Sequence, residues 1–136
     1  MNTLYSVKDC CTIDVPTYTD ERGSLSVIEK EFPFNIKRVF WLHHINDGQC
    51  RGGHALLEGE EIMCCLHGSF VLELYDGVDT LRIEMDNPEM GVLIRAGVWF
   101  FTHSYINGGV TLVFASNEYS RDSYIYDYDE FVRLRG

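Results

Sequence analysis

Basic residues are scarce in this 136-residue chain: Lys and Arg number 11 against 21 Asp and Glu, for a net charge of −10. Sequence-independent binding to nucleic acid is excluded, because phosphate contacts need clustered cations. An anionic small ligand stays open, since a few arginines inside a cleft can outweigh an acidic exterior. Also missing is any apolar run near the roughly 20 residues of a membrane-spanning helix. The opening Met1-Asn2-Thr3-Leu4 lacks the form of a signal peptide. No membrane partner is expected, and a cytoplasmic location is the default. The five cysteines (10, 11, 50, 64 and 65) have neither the even count of a disulfide framework nor the C-x-x-C spacing of a zinc site. Cys64 and Cys65 stand in an apolar run, where a thiol behaves as a small hydrophobe. No internal repeat or low-complexity linker divides the chain.

What is present is a globular composition, 46% apolar and 13% aromatic, in a chain long enough for one core. A single domain over 1–136 is expected, with a barrel over about 12–116 and an appendage over 117–136. Short β-branched and aromatic runs recur between turns, the pattern of a sandwich or barrel. They cover 25–30, 36–45, 51–56, 60–66, 69–75, 79–86, 91–94, 98–103 and 110–116. Breaks fall at Asp47-Gly48, His67-Gly68, Asp76-Gly77, Asn87-Pro88, Ala96-Gly97 and Asn107-Gly108-Gly109. In 69–75, Phe70, Leu72 and Leu74 share one face while Val71, Glu73 and Tyr75 share the other. The last segment spaces Ile125, Tyr128, Phe131 and Leu134 for a short amphipathic helix or turn against the barrel. All-β with a C-terminal appendage is the reading, and a jelly roll is its expected form.

Residues 48–68 read Gly48-x5-His54-Ala55-Leu56-x4-Glu61-x6-Gly68, and Arg95-Ala96-Gly97-Val98-Trp99-Phe100 follows later. These resemble the two motifs of the cupin barrels (the double-stranded β-helix), with Leu56 and Phe100 where metal-binding histidines usually stand. Asp20-x-Arg22-Gly23-x-Leu25, Ile36-Lys37-Arg38-Val39-Phe40, Arg51-Gly52-Gly53-His54-Ala55, Pro88-x-x-Gly91, Val98-Trp99 and Ala115-Ser116-x-x-Tyr119 narrow the likeness. In that order they resemble the WxcM-like sugar 3,4-ketoisomerases that act on dTDP-4-keto-6-deoxyglucose. The resemblance spans about 12–133 and implies a homodimer that binds a dTDP-sugar and needs no metal or other cofactor. It implies a part in making deoxy or amino sugars for a surface polysaccharide. The chain departs from the family at Leu56, in place of a second histidine, at Phe40 and Trp41, in place of tyrosines, and at Phe100.

The implied reaction removes the proton at C3, carries charge on an enediolate oxygen and returns a proton at C4. Imidazoles and phenols suit those transfers, and a cation or donor beside the oxyanion helps further. His54, with Arg51 beside it, is the first catalytic candidate; a buried imidazole satisfied by backbone is the alternative. His103 matches a family histidine and is the candidate for the missing partner. Its parity sets it with Trp99 and Phe101 and opposite Phe100, which would make it structural or interfacial. Arg22 and Arg95 suit phosphate or sugar, because a guanidinium grips oxyanions bidentately; Arg22 could equally close a turn. Tyr18, Trp41 and Trp99 could stack on a base or simply be core. Of the neighbours Glu60 and Glu61, one faces the cavity, and Glu60 is taken as the substrate contact. The expected function is metal-free isomerisation of a dTDP-6-deoxyhexose. The alternative is an inactive cupin that binds a nucleotide sugar or carbohydrate. A metal-dependent oxygenase ranks below both.

Overall fold

In chain order the strands are β1 (Cys11–Asp14), β2 (Thr17–Asp20), β3 (Gly23–Ser26), β4 (Arg38–Leu42), β5 (Arg51–Leu56), β6 (Glu61–Tyr75), β7 (Thr80–Met85), β8 (Met90–Ile94), β9 (Trp99–Ala115) and β10 (Tyr124–Ile125), followed by helix α1 (Tyr128–Arg135). They belong to a computed structural model that describes residues 3–30 and 32–136; Met1 and Asn2, read above for a signal peptide, lie outside it. Among the described residues no helix is long and apolar enough to cross a membrane.

One antiparallel sheet runs in the order β1-β8-β6-β9-β5-β10, with β4 also on β9 and β7 also on β6. The N-terminal half of β9 pairs with β5 (Thr102 with Arg51, Trp99 with Ala55), and its C-terminal half pairs with β4 (Thr111 with Leu42, Ala115 with Arg38). Both halves pair with β6, from Glu61 opposite Ala115 to Tyr75 opposite Trp99. One long strand therefore carries two partners on its other side, and the sheet curls into the expected barrel.

β6 and β9 correct the sequence reading, which broke each of them into two strands. The breaks are bulges inside continuous strands, with register shifts at Cys65/His67, His67/Ser69 and Ser69/Val71. Gly68 has φ +63 and packs so closely on β9 that a Cβ would strike the Ile106 carbonyl and lie 2.8 Å from that of Asn107. Glycine signals a turn and a bulge equally well. β1, β2 and β10 were not anticipated, being only 4, 4 and 2 residues long.

The inward faces form the main core: Leu56, Met63, Phe70, Leu72, Leu74, Met85, Ile94, Phe100 and Tyr105 among others. Outside, Ala55, Trp99 and Ile125 are covered by Phe131 of α1. On another outer face Ile62, Cys64 and Leu93 lie under Phe32, Phe34 and Phe114. Cys64 and Cys65 are buried, as their setting suggested, and all five cysteines are free. Asp127 caps α1 by accepting from the Asp129 amide, and acidic residues in the first turn with Arg133 and Arg135 in the last suit the helix dipole. Arg135 then donates to the carbonyls of Asp76, Tyr5 and Gly97, tying both ends of the chain to the barrel.

Candidate active site

β5 begins Arg51-Gly52-Gly53, and both glycines adopt positive φ (87° and 95°). The register against β9 shifts between Gly52 and His54 at this point. This bulge sets the parity of the rest of the strand. His54 and Leu56 then share a face, but only Leu56, 3% exposed, is sealed in the core. His54 lies one step nearer the barrel mouth. Its ring sits 4.5 Å from Phe100, 5.3 Å from Tyr124 and 5.8 Å from Tyr126, measured between centroids. The imidazole is thus held by aromatic rings.

The cleft in front of His54 is lined by Arg38 and Phe40 of β4, His54 of β5, and Tyr119, Tyr124 and Tyr126 of the C-terminal segment, and has a volume of about 350 Å³. Alternation on β4 puts Arg38 and Phe40 on one face, with the guanidinium 4.7 Å over the Phe40 ring. Arg38 donates to the Tyr124 hydroxyl at 2.6 Å and lies 3.5 Å from the Glu61 carboxylate. Tyr124 donates in turn to Glu61 at 2.9 Å. Glu61 is 2% exposed, so this carboxylate anchors the cation at the cleft wall. Burial pushes the Glu61 carboxyl up, and the Tyr124 hydrogen bond and the Arg38 charge only partly offset it. Burial, with the Glu61 charge adding to it, pushes the Tyr124 phenol up to about 12. For His54, burial first and the Arg38 charge second hold the imidazole down to about 4. A neutral imidazole across the neutral range is a proton acceptor. A fixed guanidinium nearby can stabilise an oxyanion.

Of the residues singled out from the sequence, His54 is in this cleft. Arg51 is exposed at the start of β5, with its carbonyl accepting from Thr102. His103 lies on the other face of β9, hydrogen-bonded to Glu73 at 2.9 Å, as its parity required. Arg22 pairs with Asp20 at 2.6 Å on the β2–β3 hairpin. Tyr18 and Arg22 border a separate hollow there that is lined by hairpin residues alone. It is larger, about 560 Å³, but contains no imidazole and is walled by one projecting hairpin, so the smaller cleft is the candidate site. Trp41 is 58% exposed, while Trp99 is buried beneath Tyr128 and Phe131. Arg95 stacks over Tyr5 at 4.0 Å and approaches Glu60 at 3.9 Å. Of the two glutamates, Glu61 reaches the cleft network and Glu60 turns to Arg95. Arg38, Tyr119, Tyr124 and Tyr126 were not among the candidates. Arg38 sat in a quoted family phrase, and its alternation with Phe40 was the available signal. The tyrosines lie in the segment read as an appendage. Among the described residues no group of at least three His, Cys, Asp or Glu is gathered as a metal site would need.

A curled antiparallel barrel with an imidazole and a guanidinium at its mouth fits the cupin class. The chain belongs to the FdtA family, described as WxcM-like, C-terminal, whose model matches residues 8–136. It is 38% identical over 116 residues to the TDP-4-oxo-6-deoxy-alpha-D-glucose-3,4-oxoisomerase of Aneurinibacillus thermoaerophilus, covering 84% of each chain. It is also similar to the 3,4-ketoisomerase QdtA of Thermoanaerobacterium thermosaccharolyticum, in a crystal structure of a His-to-Asn mutant in complex with TDP-4-keto-6-deoxyglucose. There the TM-score is 0.91 and the identity 29%, over 98% of this chain and 96% of that one. A 3,4-ketoisomerase from Helicobacter canadensis is 34% identical with a TM-score of 0.89, over 93% and 97% of the two chains.

Proposed function

We propose that this chain moves a carbonyl between C4 and C3 of a TDP-6-deoxyhexose by acid–base chemistry. The observation that carries this is the imidazole of His54, packed against Phe100 and facing an aromatic cleft whose wall fixes the Arg38 guanidinium. His54 takes the C3 proton, and Arg38 stabilises the charge that develops on O4. The clamp of Glu61 and Tyr124 keeps that cation in place before substrate arrives, which is how preorganised charge lowers a barrier. The relatives described above are isomerases, which favours catalysis over carbohydrate binding alone. In heavy water, TDP-4-keto-6-deoxyglucose is expected to acquire deuterium at C3, read by NMR. TDP binding with no uptake beyond buffer would leave only the binding module. Arg38→Met is expected to lower kcat on the order of 10²- to 10³-fold, the usual loss when an oxyanion donor is removed.

We infer that the working unit is a homodimer. Tyr18 and Leu25 on the β2–β3 hairpin are 67% and 61% exposed, and Val39 and Trp41 on β4 are 44% and 58% exposed. β4 pairs with β9 on one side only among the described residues. An edge strand bearing apolar side chains suits burial against a second copy. A single species of monomer mass in analytical ultracentrifugation would refute this. The setting we infer is cytoplasmic, where the 3-keto product would enter synthesis of a deoxy or amino sugar for a surface polysaccharide.

A further inference from the structure

Away from the cleft, a hydroxyl, an imidazole and a carboxylate stand in a row on β9 and β6. His103 Nε2 lies 2.9 Å from the Glu73 carboxylate, and His103 Nδ1 lies 2.8 Å from the Ser104 hydroxyl. A carboxylate only accepts, so Nε2 carries the ring proton and the bare Nδ1 accepts from the Ser104 O–H. Arg82 of β7 lies 3.6 Å from the same Glu73 oxygen and holds that carboxylate in place. The His103 and Glu73 side chains are 23% and 26% exposed, whereas Ser104 is open to solvent. Pairing stays in register from Leu74–Phe100 to Val71–His103, so His103 faces away from Phe100 and the sheet separates this row from the cleft.

The backbone singles out the same serine. Ser104 has φ +58, the left-handed region that side chains other than glycine rarely adopt. It lies in a bulge of β9, where Ser104 and Tyr105 stand between the pairs Val71–His103 and Ser69–Ile106. The bulge turns Tyr105 inward to full burial, stacked on Phe70 at 4.9 Å. The Tyr105 hydroxyl is bonded to Thr102 at 2.7 Å and to Thr111 at 2.8 Å. That buried network enforces the strained conformation next to it, an arrangement that clusters at reactive sites. We propose that Ser104, His103 and Glu73 form a second reactive site, in which an imidazole-activated serine takes the acyl group of an activated ester. The Ser104 oxygen bonds to the ester carbonyl carbon as its proton passes to Nδ1 and the carbonyl π pair moves onto oxygen. Glu73 stabilises the imidazolium so formed. The carbonyl then reforms and expels the alcohol oxygen, which takes the proton back from Nδ1. Water, deprotonated by the same nitrogen, releases the carboxylic acid and restores Ser104. Because Ser104 is exposed, the oxyanion is left to solvent, so activated esters rather than amides suit the site. Phe101, with its ring 5.7 Å from that of His103, offers an aryl ester an apolar contact.

The full chain with p-nitrophenyl acetate tests this, read by release of p-nitrophenolate and by mass spectrometry of the Ser104 peptide. Wild type is expected to release the phenolate faster than buffer and to carry the acetyl group on Ser104. Ser104→Gly removes the hydroxyl yet accepts the left-handed backbone, and is expected to lose both signals. His103→Gln should slow acylation on the order of 10²-fold, the lower end of what a positioned general base supplies. Glu73 is a positioning residue that acts through the imidazole, so Glu73→Gln should lower kcat and leave KM for the ester unchanged. Release no faster than buffer overturns the proposal. So does acetyl carried instead by another nucleophile, such as the exposed Cys11 or Cys50, or release that survives Ser104→Gly. An unchanged rate in His103→Gln, or a Glu73→Gln effect on KM alone, overturns it as well. If the His103 or Glu73 variant does not fold, the acetylated residue in wild type and the Ser104→Gly rate decide.

Discussion

Replacing His54 by asparagine should change how stability depends on pH, by an amount the cleft dictates. The imidazole is held down to about 4 in the folded chain, from an ordinary value of 6.5, by burial and then by Arg38. The unfolded chain therefore takes the proton first as pH falls. Stability contributed by the neutral imidazole is full above about pH 6.5, declines below it and is lost by about pH 4. A shift of this size corresponds to about 3 kcal/mol in total. About 2 kcal/mol of it falls between pH 7 and pH 5. The assay is urea unfolding of wild type and His54→Asn across that range, with midpoints converted through a common slope. Subtracting the two curves removes every other titrating group, including Glu61, whose raised value acts in the opposite sense. The wild type is expected to lose about 2 kcal/mol more than the variant. Parallel curves would refute the assignment of a buried, charge-opposed imidazole and the base role built on it. The acid limb of kcat/KM belongs to the same group and should lie near pH 4 rather than pH 6.5.

Asp76 is buried at the β6–β7 turn and accepts from the amides of Val7, Val78 and Asp79. Burial pushes its carboxyl up, but those amides and Arg135 outweigh it and leave the value below the ordinary range. Its stabilisation is present above the unfolded carboxyl value and fades as pH falls through the folded one. Asp76→Ala should cost about 1–3 kcal/mol at neutral pH by urea unfolding and flatten the acid limb; an unchanged limb would refute this account. Gly68→Ala should destabilise by more than the ~1 kcal/mol of an ordinary glycine substitution, because its Cβ would meet β9 backbone; a melting temperature near wild type would refute the bulge. Phe131→Ala should cost about 3–5 kcal/mol by removing the side chain that joins α1 to Trp99. A loss under 1 kcal/mol would show that the helix is not part of the cooperative unit.

How much could be read from the residues alone differs from place to place. Runs bounded by turns located β5 at its true bounds, Arg51–Leu56, and period-two alternation put Phe70, Leu72 and Leu74 on one face, which the structure turns inward. It failed where glycine serves two purposes: Gly68, Gly108 and Gly109 read as turns but sit in bulged, continuous strands. It was least informative at the short strands β1, β2 and β10, which have too few residues to show a period. The same division applies to the cleft. His54 was legible because it stands in a motif and its parity with Leu56 is local. Arg38, Tyr124 and Glu61 converge from positions 23 to 86 residues apart, and no local pattern records that they touch.

By itself the sequence determined the barrel, which residues share a strand face, and an imidazole with leucine and phenylalanine where further histidines would stand, because alternation and motif spacing are properties of neighbouring residues. Only the tertiary structure decided that Glu61 rather than Glu60 anchors the cleft, and that Arg38 and three tyrosines complete it. Those outcomes depend on where a bulge shifts the register and on which distant strands the curled sheet brings together. Pairing across tens of residues is fixed by packing of the whole barrel, not by the order of residues along one strand.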